Sequence, residues 1–347
     1  MNDLYLNILS HFALSGEVVS LTPCGQGLIN TTVFVKTTDG EYVLQKINTA
    51  VFKKPREVMA NIIAVTGYLS EKGHPTMSFV KTGKGEYFYE GEEGFWRLSR
   101  RIKGQTYDGV TPALLEKGAE AFGAFQKALA DFDASTLYET IPDFHNTKAR
   151  VEALWNAVAT CPAERIAAAV EPIEICRRYA AQGSYLMNLL ERGDLPLRVV
   201  HNDTKVSNVV FGEDYGTVID LDTVMPGSLL FDFGDAVRSG AATRPESATD
   251  FENFAIDKVA YESFLKGFLK GVGGELTETE LKLLPFSVFV LSYELGVRFL
   301  TDYLLGDVYF RTSYPTENLD RAKGQLAQAQ YMFLHMDEYA KLTKQYI

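Results

Sequence analysis

The sequence contains a group of polar residues whose types and spacing are suited to the transfer of a phosphoryl group. His201, Asp203 and Asn208 follow the pattern H-x-D-x-x-x-x-N, and Asp220 comes 17 residues after Asp203 (220 − 203 = 17). Phosphoryl transfer requires a carboxylate that orients and deprotonates the attacking hydroxyl, together with oxygen ligands for Mg²⁺. Asp203 is suited to the first role, and Asn208 and Asp220 are suited to the second. The alternative is an ordinary β-hairpin that carries solvated carboxylates.

The elements that must position these residues are short strands joined by a loop and a turn. Residues 197–200, 209–211 and 217–219 are apolar runs, and residues 212–216 supply turn-forming types. Polar residues follow the ends of these runs. Strands hold such groups rigidly while the loops expose them, as chemistry on phosphates requires.

The composition excludes several classes of protein. The chain has 347 residues, of which 46% are hydrophobic, and this is enough for a packed core in about two domains. Its net charge is −11. No basic stripe is present, so we expect no nucleic-acid partner. The three cysteines form no C-x-x-C pair, which favours a reducing compartment and predicts a cytoplasmic protein. The most apolar stretch, 283–305, contains charged residues and predicts a buried helix rather than a membrane span.

The segments HNDTKVSNVVF and VIDLD resemble the catalytic region of the kinase-like phosphotransferases that act on small molecules, such as aminoglycoside phosphotransferases and choline kinases. Together with IDLDTVMPG and FDFGDAVR, they resemble most closely the N-acetylhexosamine 1-kinases of that group. The resemblance implies an α+β, two-lobed protein-kinase-like fold. A small antiparallel-sheet lobe is expected over 1–102 and a mainly helical lobe over 103–347. The implied co-substrate is ATP, the implied metal is Mg²⁺, and the implied acceptor is the anomeric hydroxyl of a GlcNAc- or GalNAc-type sugar.

A literal Asp-Phe-Gly begins at Asp232, but it comes too late in the chain to supply the metal ligand (232 − 203 = 29, against 17 for Asp220). We expect Asp232 to cap the following helix or to brace the catalytic loop. Lys205, two residues beyond Asp203, is expected to neutralise charge on the transferred phosphoryl group.

The first lobe is expected to bind the nucleotide. Gly25 and Gly27 would let the backbone approach phosphates, although a plain hairpin turn is the alternative. Kinase-like folds place a phosphate-gripping lysine on the third strand after such a loop, so the resemblance implies this role for Lys46, give or take one residue. Glu57, early in a helix predicted over 55–71, is the candidate partner of Lys46. Asn61 is another candidate, and an exposed Glu57 at the positive helix start is the alternative.

A hinge is expected at 103–105, because the strand that ends near Ile102 is followed by Lys-Gly-Gln. The resemblance implies that an adenine ring binds backbone groups between Arg101 and Lys103, with Ile102 in the pocket wall.

The second lobe contains a charged stripe on an apolar helix. Glu294, Arg298 and Asp302 recur every four residues, so they share one face. That face is either an exposed ladder of ion pairs or one wall of a polar cleft. The resemblance implies that Arg298 and Tyr309 bind the sugar, whose reacting hydroxyl also contacts Asp203.

Three other functions stay open. One is a kinase of another small alcohol, such as an aminoglycoside, choline or another sugar. A second is a regulator that binds a nucleotide without catalysis, which the combination of Lys46, Asp203, Asn208 and Asp220 disfavours. A third is a protein kinase, which the absence of an A-P-E motif after Asp220 disfavours. The sequence does not predict the oligomeric state.

Overall fold

The computed structural model describes residues 2–24, 29–107, 109, 111–213 and 215–347, which form two compact units. The first unit comprises Met1–Thr106, Thr136–Ile141 and Val209–Met225. The second unit comprises Tyr107–Ser135, Pro142–Asn208 and Pro226–Ile347. The first boundary along the chain comes shortly after the predicted one at residue 102. The segments at 136–141 and 209–225, which the sequence placed in the helical lobe, belong to the first unit.

A five-stranded antiparallel sheet forms the framework of the first unit, as the sequence predicted. Its strands are β1 (Val18–Cys24), β2 (Thr31–Thr37), β3 (Glu41–Ile47), β4 (Tyr89–Gly91) and β5 (Gly94–Arg100), in the order β1-β2-β3-β5-β4. β-Branched and aromatic residues are frequent in these strands, which favours a pleated, partly buried backbone. Val33, Val35 and Leu44 lie on one face of the sheet, where they form a core with helix α1 (Asn2–Leu9).

Helix α2 (Pro55–Glu71) has the predicted bounds, because Pro55 fits the first turn of a helix. Its buried face includes two polar residues, of which Thr66 bonds within the helix and Asn61 bonds outside it. Asn61 Nδ2 donates to the carbonyl oxygens of Tyr138 (2.8 Å) and Val224 (2.9 Å), and Asn61 Oδ1 accepts from the Tyr138 N–H (2.8 Å). Tyr138 and Val224 lie in the two later segments of the first unit. This one side chain therefore fastens both segments to the helix.

Short strands flank the polar residues identified in the sequence. β6 (Arg198–Val200) precedes the catalytic loop at 201–208, and β7 (Val209–Phe211) follows it. β7 pairs with the antiparallel strand β8 (Gly216–Val218), and β9 (Met225–Gly227) comes last. Strands β6, β7 and β8 match the three predicted apolar runs.

The second unit is helical and contains the long apolar helix α10 (Glu278–Leu305). Although its length and composition would allow α10 to cross a membrane, 78% of its most apolar window is buried inside the protein. The other helices are α3 (Pro112–Ala128), α4 (Thr147–Thr160), α5 (Ala163–Ala168), α6 (Val170–Gly183), α7 (Tyr185–Glu191), α8 (Leu229–Gly240), α9 (Lys258–Val272), α11 (Glu317–Leu334) and α12 (Met336–Thr343).

Helices α3 and α9 approach each other closely because glycines occupy the contact positions. A Cβ atom at Gly267 would overlap the carbonyl oxygen of Glu116, and one at Gly271 would overlap that of Glu120. Larger residues at either glycine would force the two backbones apart. The spacing matters for the catalytic loop, because α3 also carries Phe122, whose ring packs against His201 in that loop.

We expect Asn61→Ala to lower the free energy of unfolding by about 2–3 kcal/mol, because it leaves buried backbone groups of Tyr138 and Val224 without partners. Urea unfolding followed by circular dichroism would measure the change. Ser70→Ala, at an exposed position of the same helix, is the control and should stay within about 0.5 kcal/mol of the wild type. Equal unfolding midpoints for the two variants would contradict the anchoring role of Asn61.

Candidate active site

The catalytic loop of the second unit brings Asp203, Lys205 and Asn208 together. Lys205 Nζ lies 2.8 Å from Asp203 Oδ2, and Asn208 Nδ2 donates to the same oxygen at 3.0 Å. Asn208 Nδ2 also donates to the backbone carbonyl of Asp203 at 2.8 Å. Among the described residues, both side-chain contacts of this carboxylate fall on Oδ2. A substrate hydroxyl can therefore approach Oδ1 of a carboxylate whose orientation is already fixed.

The loop keeps its shape through Asp232, which lies in helix α8. The Asp232 carboxylate accepts from the backbone N–H groups of His201 (2.9 Å) and Asn202 (2.7 Å), and from Gln126 Nε2 (2.8 Å). Asn202 has a φ of +63°, which is uncommon outside glycine and is held here by the hydrogen bond to Asp232. Burial raises the pKa of Asp232, although the donors from His201 and Asn202 act in the opposite direction. Of the two roles predicted for Asp232, the structure shows the bracing one.

His201 is a buried support for the loop. Its ring packs against the rings of Phe122 and Phe125, with centroid distances of 5.4 and 6.3 Å. His201 Nδ1 accepts from the backbone N–H of Asp203 at 3.3 Å. With no solvent-exposed surface, His201 supports the backbone of Asp203 and is not placed to carry protons to or from solvent.

The first unit places Asp220 just after β8 in a left-handed conformation, with a φ of +62°. Such conformations of residues other than glycine cost free energy and are concentrated at functional sites. The side chain of Asp220 is half-buried. Its position after a strand end agrees with the predicted role of a metal ligand.

The predicted ligand set fits the chemistry of magnesium. Asn208 uses its amide nitrogen to bind Asp203, which leaves the side-chain oxygen as the atom for a metal, and Asp220 offers a carboxylate. Mg²⁺ prefers oxygen ligands and takes only one or two carboxylates from a phosphotransferase, because phosphates and water supply the rest. In the described part of the chain, no group of three or more His, Cys, Asp or Glu side chains is arranged for a metal.

A buried ion pair between Arg97 and Asp222 organises the region around Asp220 in the first unit. The guanidinium of Arg97, 1% exposed, donates through Nη1 to Asp222 and through Nε to Gln45 Oε1 at 3.0 Å. Asn30 Nδ2 donates to the other oxygen of Asp222 at 2.6 Å. Because Asp222 follows Asp220 by two residues, this network fixes the turn that carries the predicted metal ligand.

Sequence reasoning missed Arg97, although the strand pattern contained a signal. In β5, Phe95, Arg97 and Ser99 alternate with Trp96 and Leu98, and all five are buried. A strand with both faces buried requires a partner for a buried charged side chain such as that of Arg97. The acidic run VIDLD could therefore have been searched for that partner.

Strand β3 places Gln45 and Lys46 on opposite faces of the sheet. Lys46 is paired with Trp96 across the strands, and its Nζ lies 5.8 Å from the centroid of that ring. Gln45 lies on the face that carries Arg97. The phosphate-binding role of Lys46 stays a prediction. If the assignment is shifted by one residue toward the face of Arg97, Gln45 takes the place of Lys46.

The candidate partners of Lys46 have other contacts. Glu57 forms an ion pair with Lys54 at 3.1 Å, and Asn61 uses both ends of its amide in the contacts with 136–141 and 209–225. The structure therefore does not bring Lys46 together with either one among the described residues. Gly25 and Gly27 lie outside the described residues.

The expected hinge is anchored within the first unit. Gln105 and Phe211 exchange two backbone hydrogen bonds, of 3.0 and 2.9 Å. Gly104 precedes them with a φ of +145°, and a Cβ atom there would lie 2.5 Å from the Phe211 carbonyl oxygen. Only glycine fits this position, so the close approach between the hinge and β7 is encoded in the sequence.

Arg101 and Ile102, the predicted neighbours of the adenine ring, lie between β5 and this bridge. Arg101 pairs with Glu41 at 3.2 Å, and its guanidinium stacks on the ring of Phe34 at 4.6 Å. Ile102 is half-buried. Their role in nucleotide binding stays a prediction.

In the second unit, Arg298 and Tyr309 contact the same aromatic residue. The Arg298 guanidinium lies near the rings of Phe144 and Phe310, at 5.4 and 5.7 Å from their centroids. The ring of Tyr309 packs on Phe310 with a centroid distance of 4.8 Å. Asp302 holds this loop, because its carboxylate accepts from the backbone N–H groups of Val308 (3.0 Å), Tyr309 (2.8 Å) and Phe310 (2.9 Å).

The charged stripe of α10 is not an exposed ladder of ion pairs, so that alternative is wrong. Glu294 is 1% exposed and Asp302 is 4% exposed. Glu294 accepts from Thr147 Oγ1 at 2.8 Å and lies 2.9 Å from His145 Nδ1. Burial alone would raise the pKa of Glu294, but His145, Arg298 and the Thr147 hydroxyl outweigh it and hold the pKa below its ordinary value.

Comparison with known proteins identifies relatives of the whole chain. The model of a family described as APH, phosphotransferase enzyme family, matches residues 20–268. Similar solved structures include a microcompartment-associated aminopropanol kinase (16% identity, TM-score 0.65, 99% of each chain covered). They also include the choline kinase of Cryptosporidium parvum Iowa II (13%, 0.60, 98% of each chain). A third is the amicoumacin kinase hAmiN bound to AMP-PNP, Ca²⁺ and Ami (13%, 0.63, 94% of this chain and 92% of that one). These likenesses confirm the expected kinase-like α+β fold.

We expect Arg97→Met to lower the free energy of unfolding by about 3–5 kcal/mol, because it leaves the buried carboxylate of Asp222 uncompensated. Asp222→Leu should lower the free energy of unfolding by a comparable amount, because it leaves the buried guanidinium of Arg97 without a partner. The double variant should lose clearly less than the sum of the two, since it buries no unpaired charge. Urea unfolding of all four proteins measures this difference, and strictly additive losses would show that the two side chains do not depend on each other.

Proposed function

The chain belongs to the APH phosphotransferase enzyme family, and from this premise we propose that it phosphorylates the anomeric hydroxyl of an N-acetylhexosamine, using ATP and Mg²⁺. Family membership makes the chain a phosphotransferase, whereas the sugar, the nucleotide and the metal belong to the proposal. The observation that carries it is the convergence of Lys205 and Asn208 on one oxygen of Asp203. A cytoplasmic location, favoured by three cysteines that form no disulfide, is part of the same proposal.

In the proposed reaction, the sugar hydroxyl donates a hydrogen bond to Asp203 Oδ1. Its oxygen forms a bond to the γ-phosphorus of ATP while the bond between that phosphorus and ADP breaks, and the proton passes to Asp203. Lys205, beside the base, donates hydrogen bonds to the phosphoryl group as its negative charge shifts. Asn208 Oδ1 and the Asp220 carboxylate would hold Mg²⁺, which neutralises charge on the phosphates when it is bound.

The nucleotide site is proposed for the first unit. The backbone around Gly25 and Gly27, together with Lys46, would hold the phosphates. The backbone between Arg101 and Lys103 would bind the adenine ring, beside Ile102. Support comes from the anchored hinge, since the exchange of hydrogen bonds between Gln105 and Phe211 holds the chain that follows this backbone.

The acceptor site is proposed to include Arg298 and Tyr309 in the second unit. A guanidinium that contacts two phenylalanine rings is restricted in position, and it can donate hydrogen bonds to sugar oxygens with a smaller loss of side-chain entropy. Tyr309, 65% exposed, offers both an aromatic face and a hydroxyl. Such a combination suits a sugar, which has polar edges and apolar faces.

The second candidate function is a kinase of another small alcohol, as the names of the aminopropanol and choline kinases indicate for those relatives. Those two alcohols carry a positive charge. Arg298 has Arg150 as a second cation nearby, and burial together with the Arg298 charge lowers the pKa of Arg150. Two neighbouring guanidinium groups favour a neutral acceptor over a cationic one, although the carboxylates of Glu294 and Asp143 act in the opposite direction. A nucleotide-binding regulator would bind ATP without turnover.

The acceptor class can be tested by measuring ADP release with MgATP and a panel of alcohols. The panel contains N-acetylglucosamine, N-acetylgalactosamine, glucose, galactose, choline and kanamycin. We expect turnover with the two N-acetylhexosamines and a sugar 1-phosphate signal in ³¹P NMR. Turnover with choline or kanamycin alone would keep the reaction class and exclude the sugar together with the roles of Arg298 and Tyr309. ATP binding without turnover of any alcohol would support the regulator.

The base can be tested by Asp203→Asn, which keeps the side-chain shape but removes the proton acceptor. We expect kcat to fall on the order of 10²–10⁴-fold, while the affinity for ATP, measured by calorimetric titration, stays within about two-fold of the wild type. Asp194→Asn, which alters an exposed carboxylate paired with Arg192, is the matched control and should retain full activity. Near-normal kcat in Asp203→Asn would exclude Asp203 as the base.

A further inference from the structure

Two buried polar atoms near Arg298 have no hydrogen-bond partner among the described residues. These atoms are His145 Nε2 and Arg150 Nε. In all the described residues, only seven buried side-chain atoms lack a hydrogen-bond partner. Buried polar groups almost always have a partner in native proteins, so two exceptions in one neighbourhood call for an explanation. The proposed transfer of phosphate uses neither atom.

The contacts of His145 define what its Nε2 can do. The residue is 8% exposed, and its Nδ1 lies 2.9 Å from Glu294 Oε1. The other oxygen of Glu294 accepts from Thr147 Oγ1 at 2.8 Å. Since an ionised carboxylate only accepts hydrogen bonds, Nδ1 of a neutral His145 carries the proton and Nε2 presents a lone pair. Thr147 and Glu294 therefore fix both the orientation and the tautomer of the ring.

Phe144 connects His145 to the two arginines. Its ring contacts the His145 ring with a centroid distance of 4.7 Å, and the Arg298 guanidinium lies 5.4 Å from its centroid. The backbone carbonyl of Phe144 accepts from Arg150 Nη2 at 3.3 Å. The Arg298 guanidinium also lies 5.7 Å from the centroid of the Phe310 ring. We define these five residues, His145, Arg150, Arg298, Phe144 and Phe310, as the Arg298 cluster.

The Arg298 cluster combines one hydrogen-bond acceptor, cationic donors and two aromatic walls. A secondary amide matches this combination, because it offers an N–H to the acceptor, a carbonyl oxygen to a donor and a methyl group to apolar walls. A simple hydroxyl would use only part of it. We propose that the Arg298 cluster binds the acetamido group of the acceptor sugar, with His145 Nε2 accepting the amide N–H. This inference rests on the proposed function and identifies His145 as a residue that determines specificity.

The test uses the full-length enzyme with MgATP and separates the two nitrogens of the ring. His145→Asn keeps a donor near the Nδ1 position for Glu294 and removes the group at Nε2. We expect the KM for N-acetylglucosamine to rise about ten-fold, in line with one lost hydrogen bond. The KM for ATP, the kcat and the KM or inhibition constant of glucose, which lacks the amide, should stay within about two-fold. Asp194→Asn, which alters an exposed carboxylate outside the Arg298 cluster, is the control and should leave the ratio between the two sugars unchanged.

The outcomes distinguish this inference from the proposed function. An unchanged ratio, or equal weakening of both sugars, in a wild type that does phosphorylate N-acetylglucosamine would overturn only the role of His145. A wild type without turnover of either N-acetylhexosamine would overturn the proposed function, and the inference with it. If urea unfolding shows that His145→Asn does not fold, His145→Gln decides, because its amide reaches the Nε2 position. A near-normal KM in His145→Gln supports the inference, and a raised KM overturns it.

Discussion

The catalytic loop depends on one buried carboxylate, that of Asp232. A charge taken out of water costs several kcal/mol unless hydrogen bonds replace the lost hydration. At Asp232 these bonds come from the backbone of His201 and Asn202 and from the side chain of Gln126. The carboxylate can satisfy them only if the loop takes one conformation, which includes the positive φ of Asn202. The backbone that leads to Asp203 is therefore positioned by buried groups that solvent does not reach.

The same physical device is found elsewhere in the protein. In the first unit, Asp222 gathers Arg97 and Asn30 and so fixes the turn that carries Asp220. In the second unit, Asp302 gathers three consecutive backbone N–H groups of the loop at 308–310. In each case a buried acidic side chain acts as the template for a segment without regular secondary structure. Asp222 lies two residues from Asp220, a predicted site residue. Asp232 and Asp302 hold the loops that contain predicted site residues.

The parts of the fold that were predictable are those where local signals agree with tertiary packing. Helix α2 has its predicted bounds because a proline at its first position and an apolar face coincide. The helical region at 170–191 is divided into α6 and α7 at Ser184, a boundary that apolar periodicity alone does not reveal. An isolated bridge between Phe79 and Ser99, by contrast, depends on a contact between distant residues that no local pattern indicates.

In the candidate site, too, some features were predictable from local sequence patterns and others were not. The spacing of Asp203, Lys205 and Asn208 predicted a group that the loop does bring together. The partners of buried charges were not predictable in this way, because they join residues far apart in the chain. Arg97 and Asp222 are one such pair, and His145 and Glu294 are another. Neither pair has a fixed spacing that a pattern in one sequence would contain.

The way in which Asp302 holds the loop at 308–310 has a consequence for how this protein can change over generations. The carboxylate binds only backbone atoms of the loop, so its hold does not depend on the side chains there. Val308 and Tyr309 are 77% and 65% exposed, and substitutions at these positions leave the scaffold of the loop intact. Single mutations could therefore introduce new side chains at positions 308 and 309 while the backbone of the loop stays in place, so that the surface of this loop can diversify without loss of its conformation.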